Sequence, residues 1–382
     1  MRIVIYEENW ENFYPLVHLN PQFDLRLGMK TIKENIAHYF PKTKIDFLGR
    51  DIFKFEKFNP TEPTIYLSSR FIMTKKINIA NKDVKLFVGS SVIGFIKHEP
   101  PFPNNLKQVA QTLETIKKKQ KAFGFVLDNL GDLIKYSEPM LHNHLEQKKE
   151  KGKIIKSINI IGNQKNLFVA KNAMIDKLVM IDVTAGPVYI DQGAVIRSFS
   201  TIIGPAYIGK GTIIDRTKIV KSSIGPHCRI GGEVDSCIFQ GYTNKHHEGF
   251  IGHSFIGEWV NLGALTTNSD LKNNYGSVQI KIGNKKFDSG MIKLGCFIGD
   301  HTKTGIGTLI PTGAVIGSFV NFFGGGMMPQ YVPCFKWLTV KKIENYRFEM
   351  AIKTAQIVMA RRKIKMSTHY ENLIRVNYQN KK

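Results

Sequence analysis

Between Ile190 and Ile214 an aliphatic residue returns every six positions, at Ile190, Ile196, Ile202, Ile208 and Ile214. The first four are each followed four residues later by a small one, Ala194, Ser200, Ala206 and Thr212. A strand alternates with a period of two and a helix repeats near a period of about 3.6, so a strict six in fixed phase predicts a solenoid with short flat faces. Its aliphatics fill the axis. The phase returns at Ile224-Gly225, Ile230-Gly231, Ile256-Gly257 and Leu262-Gly263, and again at Ile298, Thr304, Ile310 and Ile316. Three hexapeptides make one coil of a parallel β-helix. Asp191, Gly209 and Asp215 directly follow their aliphatics and read as the residues that turn the chain between faces.

The flanks carry other periods. Residues 1–147 read as an α/β domain: Arg2–Tyr6 and residues 64–67 as buried strands, and Met29, Ile32, Ile36 and Phe40 as one face of a helix that Pro41 ends. Residues 79–96 are rich in β-branched positions, residues 106–120 read as helix, and a further helix begins after Gly131. The basic run at 148–156 reads as a linker, 157–338 as the solenoid and 339–382 as a helical tail, in which Ile343, Met350, Ile357 and Ile364 recur every seven residues as a cap or intersubunit face. Residues 240–250 and 269–291 interrupt the six-residue phase and are expected to project from a corner of the coil, where function gathers.

Bulk properties narrow the class. The formal charge is +23, but the basic residues are spread over many short runs without a nucleic-acid motif, so no nucleic-acid partner is expected. A positive field also suits phosphorylated small molecules. Residues 305–335 contain no charge, yet Pro311, the glycines and Asn321 in phase argue for stacked coils, and no membrane span is expected. Four cysteines without CxxC spacing read as reduced packing residues of a cytoplasmic protein, and the N-terminus meets acidic residues before any long apolar run, unlike a signal peptide.

The candidate chemistry lies in residues 241–266, GYTNKHHEGFIGHSFIGEWVNLGALT. This segment resembles the acetyltransferase half of the bacterial bifunctional enzymes that acetylate glucosamine 1-phosphate and uridylylate the product. The resemblance places the catalytic histidine on His247, the sugar-contacting aromatic on Phe250 and the active-site asparagine on Asn261. A neutral imidazole titrates near working pH and suits removal of a proton from an attacking amine or hydroxyl, with His246 as competitor for the role. A zinc site built from His246, His247 and His253 lacks cysteine or carboxylate spacing, so no metal is assigned. Ser236 stands where the family has a lysine, Phe250 lacks the tyrosine hydroxyl, and Lys218 or Lys221 approximates the family arginine, so the acceptor is expected to differ. The resemblance further implies a left-handed coil, a homotrimer, and an acetyl-CoA groove lined by small residues such as Ala264, Thr266, Gly305 and Ala314.

The N-terminal domain lacks the glycine-rich loop that cradles nucleotide phosphates; its first strand runs into YEENWENFYPLVHLNPQFDLRLGMKTI. At Pro21-x-x-Asp24-x-Arg26-x-Gly28, Ser69-Arg70, Asn129-x-x-Asp132, LKNNYG and GDHTKTGIGT the chain resembles a branch of sugar nucleotidyltransferases fused to hexapeptide repeats. Asp24, Arg26, Lys30 and Arg70 are then candidate contacts to a phosphorylated nucleotide or sugar, with Mg²⁺ a partner if this domain is active. The alternative for Asp24 and Arg26 is an ion pair holding a loop against the following helix. The reading is acyl transfer from acetyl-CoA to an amino sugar or sugar phosphate, with a degenerate nucleotidyltransferase-like domain attached. Its rivals are an active sugar-1-phosphate nucleotidyltransferase and a non-catalytic nucleotide-sugar-binding scaffold.

Overall fold

The computed structural model describes residues 1–147 and 158–380. The expected linker, 148–156, lies outside the described residues. Two compact units emerge: Met1–Phe13, Asn20–Leu25 and Lys30–Asp128 form the first, and Tyr14–Leu19, Arg26–Met29 and the described residues from Asn129 onward form the second.

In the first unit a six-stranded sheet runs in the order Lys44–Leu48, Arg2–Tyr6, Thr64–Ser68, Ser91–Lys97, Val84–Val88, Lys119–Lys121. The first three strands are parallel, and Ser91–Lys97 lies antiparallel to both of its neighbours. Arg2–Tyr6 is apolar on both faces because it lies between two parallel partners, with Ile3, Val4 and Ile5 fully buried. Helix α1 (Ile32–Tyr39) starts at a capping box in which Thr31 and Glu34 bind each other's backbone N–H groups, and it buries Ile32 and Ile36 as its period requires. Helix α2 (Leu106–Thr115) stops before the predicted end, because residues 119–121 pair with Val84–Val88 instead.

The second unit is the solenoid with its helices. One nine-stranded parallel sheet stacks Val169, Ile190, Ile208, Ile224, Phe239, Ile256, Ile298, Ile316 and Val332 in a single column. The hexapeptide aliphatics thus fill the axis, each contributing about 1.5–3 kcal/mol of apolar burial. The glycines behind them have a different use from the expected one. Gly209 lies so close to the next coil that a Cβ would sit 2.6 Å from the Gly225 carbonyl carbon, whereas the left-handed turn falls two residues later, at Gly211 (φ +64). Close stacking, not turning, requires glycine after the aliphatic.

Residues 240–250 do not project. They form the strands Ile238–Gly241, Asn244–Lys245 and Phe250–Gly252 within the stack. The phase was hidden because Lys245 occupies an inward position in register with Ile230. Lys245 is only 2% exposed, and its Nζ donates to the Gly231 carbonyl (2.6 Å) and the His247 carbonyl (2.9 Å). Two backbone acceptors make a buried ammonium tolerable where an aliphatic is usual. The second interruption does leave the coil, as the antiparallel hairpin Gln279–Ile282/Lys285–Asp288.

Helix α3 (Leu130–Glu146), expected in the N-terminal domain, packs within the second unit, where Leu141 and Leu145 meet Tyr189 and Tyr207. The tail forms α4 (Phe348–Ala360) and α5 (Thr368–Gln379). Its buried face is Phe348, Ala351, Ile352, Ala355 and Met359, so the seven-residue stripe of Ile343, Met350 and Ile357 faces outward at 49–57% exposure. No helix among the described residues is long and apolar enough to cross a membrane.

One corner carries a ladder of rings: His227, Tyr242, Trp259, His301, Phe319 and Phe335 stack in sequence with centroids 4.3–6.2 Å apart. All six have φ between 55° and 60°. A left-handed conformation costs an ordinary residue about 1–2 kcal/mol, and ring stacking at each step offsets that cost.

Candidate functional site

Outward-facing positions on one flat face of the coil stack as strictly as the inward ones. Ile213 aligns with Arg229, Arg229 with Asn244, Asn244 with Asn261, and Asn261 with Lys303. Alternation along each short strand puts these side chains outside while Ile214, Ile230, Lys245 and Leu262 point in. The ring ladder borders this column with Tyr242 and Trp259, and helix α4 with its C-terminal turn brings Val358, Arg361 and Arg362 against it. Together these residues enclose a cleft of about 610 Å³, which His246, Asp215 and Arg197 also line.

The cleft is crowded with cations. Arg197, Arg229, Lys303, Arg361 and Arg362 line it, against a single carboxylate, Asp215. Burial and the neighbouring Arg362 lower the Arg229 pKa; burial and Arg361 lower that of Arg362. Among the described residues, Arg229 donates to the Gly211 and Cys228 carbonyls alone and Arg362 Nε is buried without a hydrogen-bond partner. Burial also lowers Lys303 to about 8, although its Nζ donates to the His301 carbonyl (2.8 Å). An anion of one or more negative charges would relieve this repulsion.

Beside the cations lies a polar pair suited to a substrate. Asn244 Nδ2 donates to Asn261 Oδ1 (2.9 Å). His246 Nδ1 is buried with no hydrogen-bond partner among the described residues, and Nε2 lies 3.6 Å from Asp215, beyond hydrogen-bond range. His247 stands next to it, exposed at the corner, with the two rings in edge contact at 5.3 Å. Asn261 therefore lies inside the cleft, and of the adjoining histidines it is His246 that faces it.

The other expected contacts are dispersed. Phe250 is half-buried on the next face, its N–H donating to Thr267. Lys218 pairs with Glu233 (3.0 Å) and Lys221 with Glu138 (2.9 Å). Of the small residues expected along the acyl-CoA groove, Thr266 and Ala314 are buried inside the coil, Thr266 bonded to Thr304, while Ala264 and Gly305 are half-exposed. Arg26 is 7% exposed and donates to the Gln240 and Met29 carbonyls, Lys30 is half-buried, and Asp24 pairs with Lys33 of α1 (2.6 Å) rather than with Arg26. Arg70 is held by Glu8 and Asp128.

At the carboxyl ends of the parallel strands, where open α/β sheets bind nucleotides, the first unit presents its own carboxylates. Glu7 is enclosed and forms a two-point pair with Arg50, whose guanidinium stacks on Trp10 and Phe53. Since Glu7 and Glu8 are both engaged by guanidinium groups, these residues do not fit a Mg²⁺ ion, and the described residues include no cluster of three metal-ligating side chains. Sequence reasoning missed Arg229, Lys303, Arg361 and Arg362 as site residues. The available signal was phase: Arg229 and Asn261 each immediately precede an inward aliphatic, Ile230 and Leu262.

Residues 3–169 match the family model described as sugar nucleotidyl transferase. A bifunctional sugar-1-phosphate nucleotidylyltransferase/acetyltransferase of Sulfurisphaera tokodaii is 34% identical over 155 residues, 37% of this chain and 37% of the relative. The bifunctional protein GlmU of Methanocaldococcus jannaschii is 27% identical over 233 residues, 56% of this chain and 52% of the relative. The chain thus spans between about a third and a half of the length of these curated relatives. Among solved structures, an Arabidopsis UDP-N-acetylglucosamine acyltransferase aligns with a TM-score of 0.27 at 12% identity, over 61% of this chain and 89% of that one. The stretch that matches the sugar nucleotidyl transferase model, residues 3–169, runs in this chain into a parallel β-solenoid of hexapeptide repeats.

Proposed function

We propose that the second unit transfers an acyl group, acetyl from acetyl-CoA, to an amino sugar or sugar phosphate bound in the cleft on the solenoid face. The observation that carries this reading is the pairing of a cation cluster with the Asn244–Asn261 amides and the His246 imidazole in one cleft. Coenzyme A and a phosphorylated acceptor are both polyanions, and Arg229, Lys303, Arg361 and Arg362 supply the countercharge. In the transfer, a neutral imidazole accepts the proton of the attacking amine or hydroxyl as the bond to the thioester carbonyl forms. An asparagine amide donates to the resulting oxyanion, whose collapse breaks the carbon–sulfur bond while the imidazolium returns its proton to the departing thiolate of coenzyme A.

For a ligand held within the cleft, His246 is the base. A second reading keeps His247, the residue assigned by resemblance, as base at a site completed by a second copy of the chain. It rests on exposed apolar side chains beside that corner: Leu265 at 57%, Ile306 at 72% and Phe323 at 47%, with Leu309 stacked on Met327. Such a patch suits the homotrimer expected from the repeats. Sedimentation equilibrium separates the readings: a monomer that turns over removes the shared site. Free thiols at Cys228, Cys237, Cys296 and Cys334 support a cytoplasmic setting.

The test is acetyl-CoA turnover with a panel of amino sugars and their 1-phosphates, run beside His246→Ala and His247→Ala. Loss of about two to four orders of magnitude in kcat identifies the base. Neither substitution mattering would end the acyl-transfer reading. For the first unit we infer a structural role without triphosphate binding, supported by Glu7 and Glu8 where phosphates would lie; Mg²⁺-dependent pyrophosphate release from a nucleoside triphosphate would overturn it.

A further inference from the structure

The corner that carries His246 and His247 is stacked on a shorter one. Ile230 is in register with Lys245, and Glu233 with Phe250, so two residues, Gly231 and Gly232, turn the preceding coil where four, residues 246–249, turn this one. Glycine makes the short turn possible. A Cβ on Gly231 would overlap the His246 carbonyl oxygen, and one on Gly232 (φ +72) would lie 2.8 Å from Lys245 Nζ.

A shorter corner supplies fewer N–H groups to the longer one beside it. The Gly249 carbonyl takes the Glu233 N–H of the preceding coil (3.1 Å), and the Glu248 carbonyl takes the Leu265 N–H of the following coil (2.7 Å). Asn244 aligns with Asn261, so the equivalent of His247 on the following coil is Ala264, whose carbonyl receives the Gly307 N–H (2.9 Å). For His247 the donor is a side chain. Lys245 Nζ makes that bond at 2.9 Å and is braced on the Gly231 carbonyl at 2.6 Å. An aliphatic at position 245, as at Ile230 and Leu262, would take the donor away from both oxygens. The bond also joins the solenoid axis to the imidazoles. His247 lies two residues beyond Lys245, and its ring is in edge contact with that of His246, so a shift of the His247 backbone reaches both rings.

We propose that Lys245 is a positioning residue: braced on the Gly231 carbonyl, it holds the His247 carbonyl and thereby fixes how the His246 and His247 imidazoles face an acceptor. The role rests on the reading above that one of these histidines is the base, and extends it to the group that aims the ring. Two readouts separate the aim of the rings from the chemistry. In the full chain labelled with ¹⁵N-histidine, long-range ¹H–¹⁵N correlation follows the rings without any ligand. Lys245→Met, of similar length and without donors, is expected to shift or broaden the His246 and His247 signals and to leave those of His227 and His301, in the ring ladder, in place. Lys245→Arg, which keeps donors for both carbonyls, is expected to return them toward the parent positions. In acetyl-CoA turnover Lys245→Met lowers kcat about tenfold to a hundredfold with KM within about twofold, as a misaimed base beside an intact cleft requires, and Lys245→Arg recovers most of the loss. If Lys245→Met does not fold, Lys245→Gln, which keeps an N–H donor on a shorter side chain, gives smaller changes of the same sign. A folded parent chain without turnover ends the acyl-transfer reading and leaves the ring signals to decide the positioning role. Ring signals unchanged in the folded variants overturn the proposal. So does a kcat that stays at the parent value where His246→Ala or His247→Ala abolishes it, or a loss that Lys245→Arg fails to recover while restoring the melting temperature.

Discussion

In the α/β unit, the acidic and basic side chains at the ends of the parallel strands are matched to one another. Glu7 holds Arg50, Glu8 and Asp128 hold Arg70, and Asp24 holds Lys33. On the solenoid face the balance is different: burial and Arg362 lower the pKa of Arg229, and burial and Arg361 lower that of Arg362, in a cleft whose lining includes one carboxylate. Charges matched within the chain already have their counterions, whereas like charges gathered in a concave site leave room for an external one. On the reading proposed above, the two regions of one chain play different parts, the first as scaffold and the second as binding surface.

The sharpest way to break this comparison is to remove a matched charge. Glu7→Ala leaves the Arg50 guanidinium buried without its counterion and is expected to lower the stability of the first unit by about 3–5 kcal/mol, read by chemical denaturation. Anion binding in the solenoid cleft should survive. Removing an unmatched charge has the reverse signature. Arg229→Ala is expected to weaken binding of a phosphorylated ligand by about 1.5–3 kcal/mol while leaving the melting temperature equal or raised, because repulsion with Arg362 is relieved. Calorimetric titration and thermal melts check both halves.

A third effect is set by pH. Lys303 has a pKa of about 8, so it is charged below that value and neutral above it. Affinity of the cleft for an anion is expected to fall several-fold as pH rises through about 8, and Lys303→Met should flatten that step. Lys245 also titrates at about 8, below the ordinary lysine value of 10.5. The unfolded chain therefore binds the extra proton between these values, so the stability contribution of Lys245 rises as pH increases from about 8 to about 10.5 and shows no slope below that window. Lys245→Met removes the Lys245 share of this slope in a denaturation series and leaves the share of Lys303, which titrates in the same window. The smallest effect belongs to Lys218, whose exposed pair with Glu233 is worth at most about 1 kcal/mol. Lys218→Ala should leave ligand affinity unchanged; a loss as large as that of Arg229→Ala would move phosphate recognition to the face expected from resemblance.

The difference between the two regions also explains what was legible in the sequence. The column from Ile190 to Val332 was readable because the same inward environment recurs on every coil and selects the same side chain. Residues 240–250 were misread because Lys245 takes an aliphatic's place and is compensated by two carbonyls, which leave no trace in composition. The cleft was only partly visible: Asn261 and His246 fell in the segment singled out, but nothing near Arg361 and Arg362 in the sequence points to a site, since the packing that brings α4 over the flat face is not local. Rings at the left-handed corner, such as Tyr242 and Trp259, carried a readable phase that only their stacking makes meaningful.

The central claim is that the solenoid cleft is where acyl transfer occurs, and free CoA release measures it directly. The intact chain is supplied with acetyl-CoA and amino sugars or their 1-phosphates, alongside Arg229→Ala, His246→Ala and Glu8→Ala. The account predicts turnover that the first two substitutions reduce at least about tenfold and that Glu8→Ala, in the scaffold unit, leaves near the parent value. Turnover unaffected by Arg229→Ala and His246→Ala, or no turnover with any acceptor from the folded chain, would contradict it.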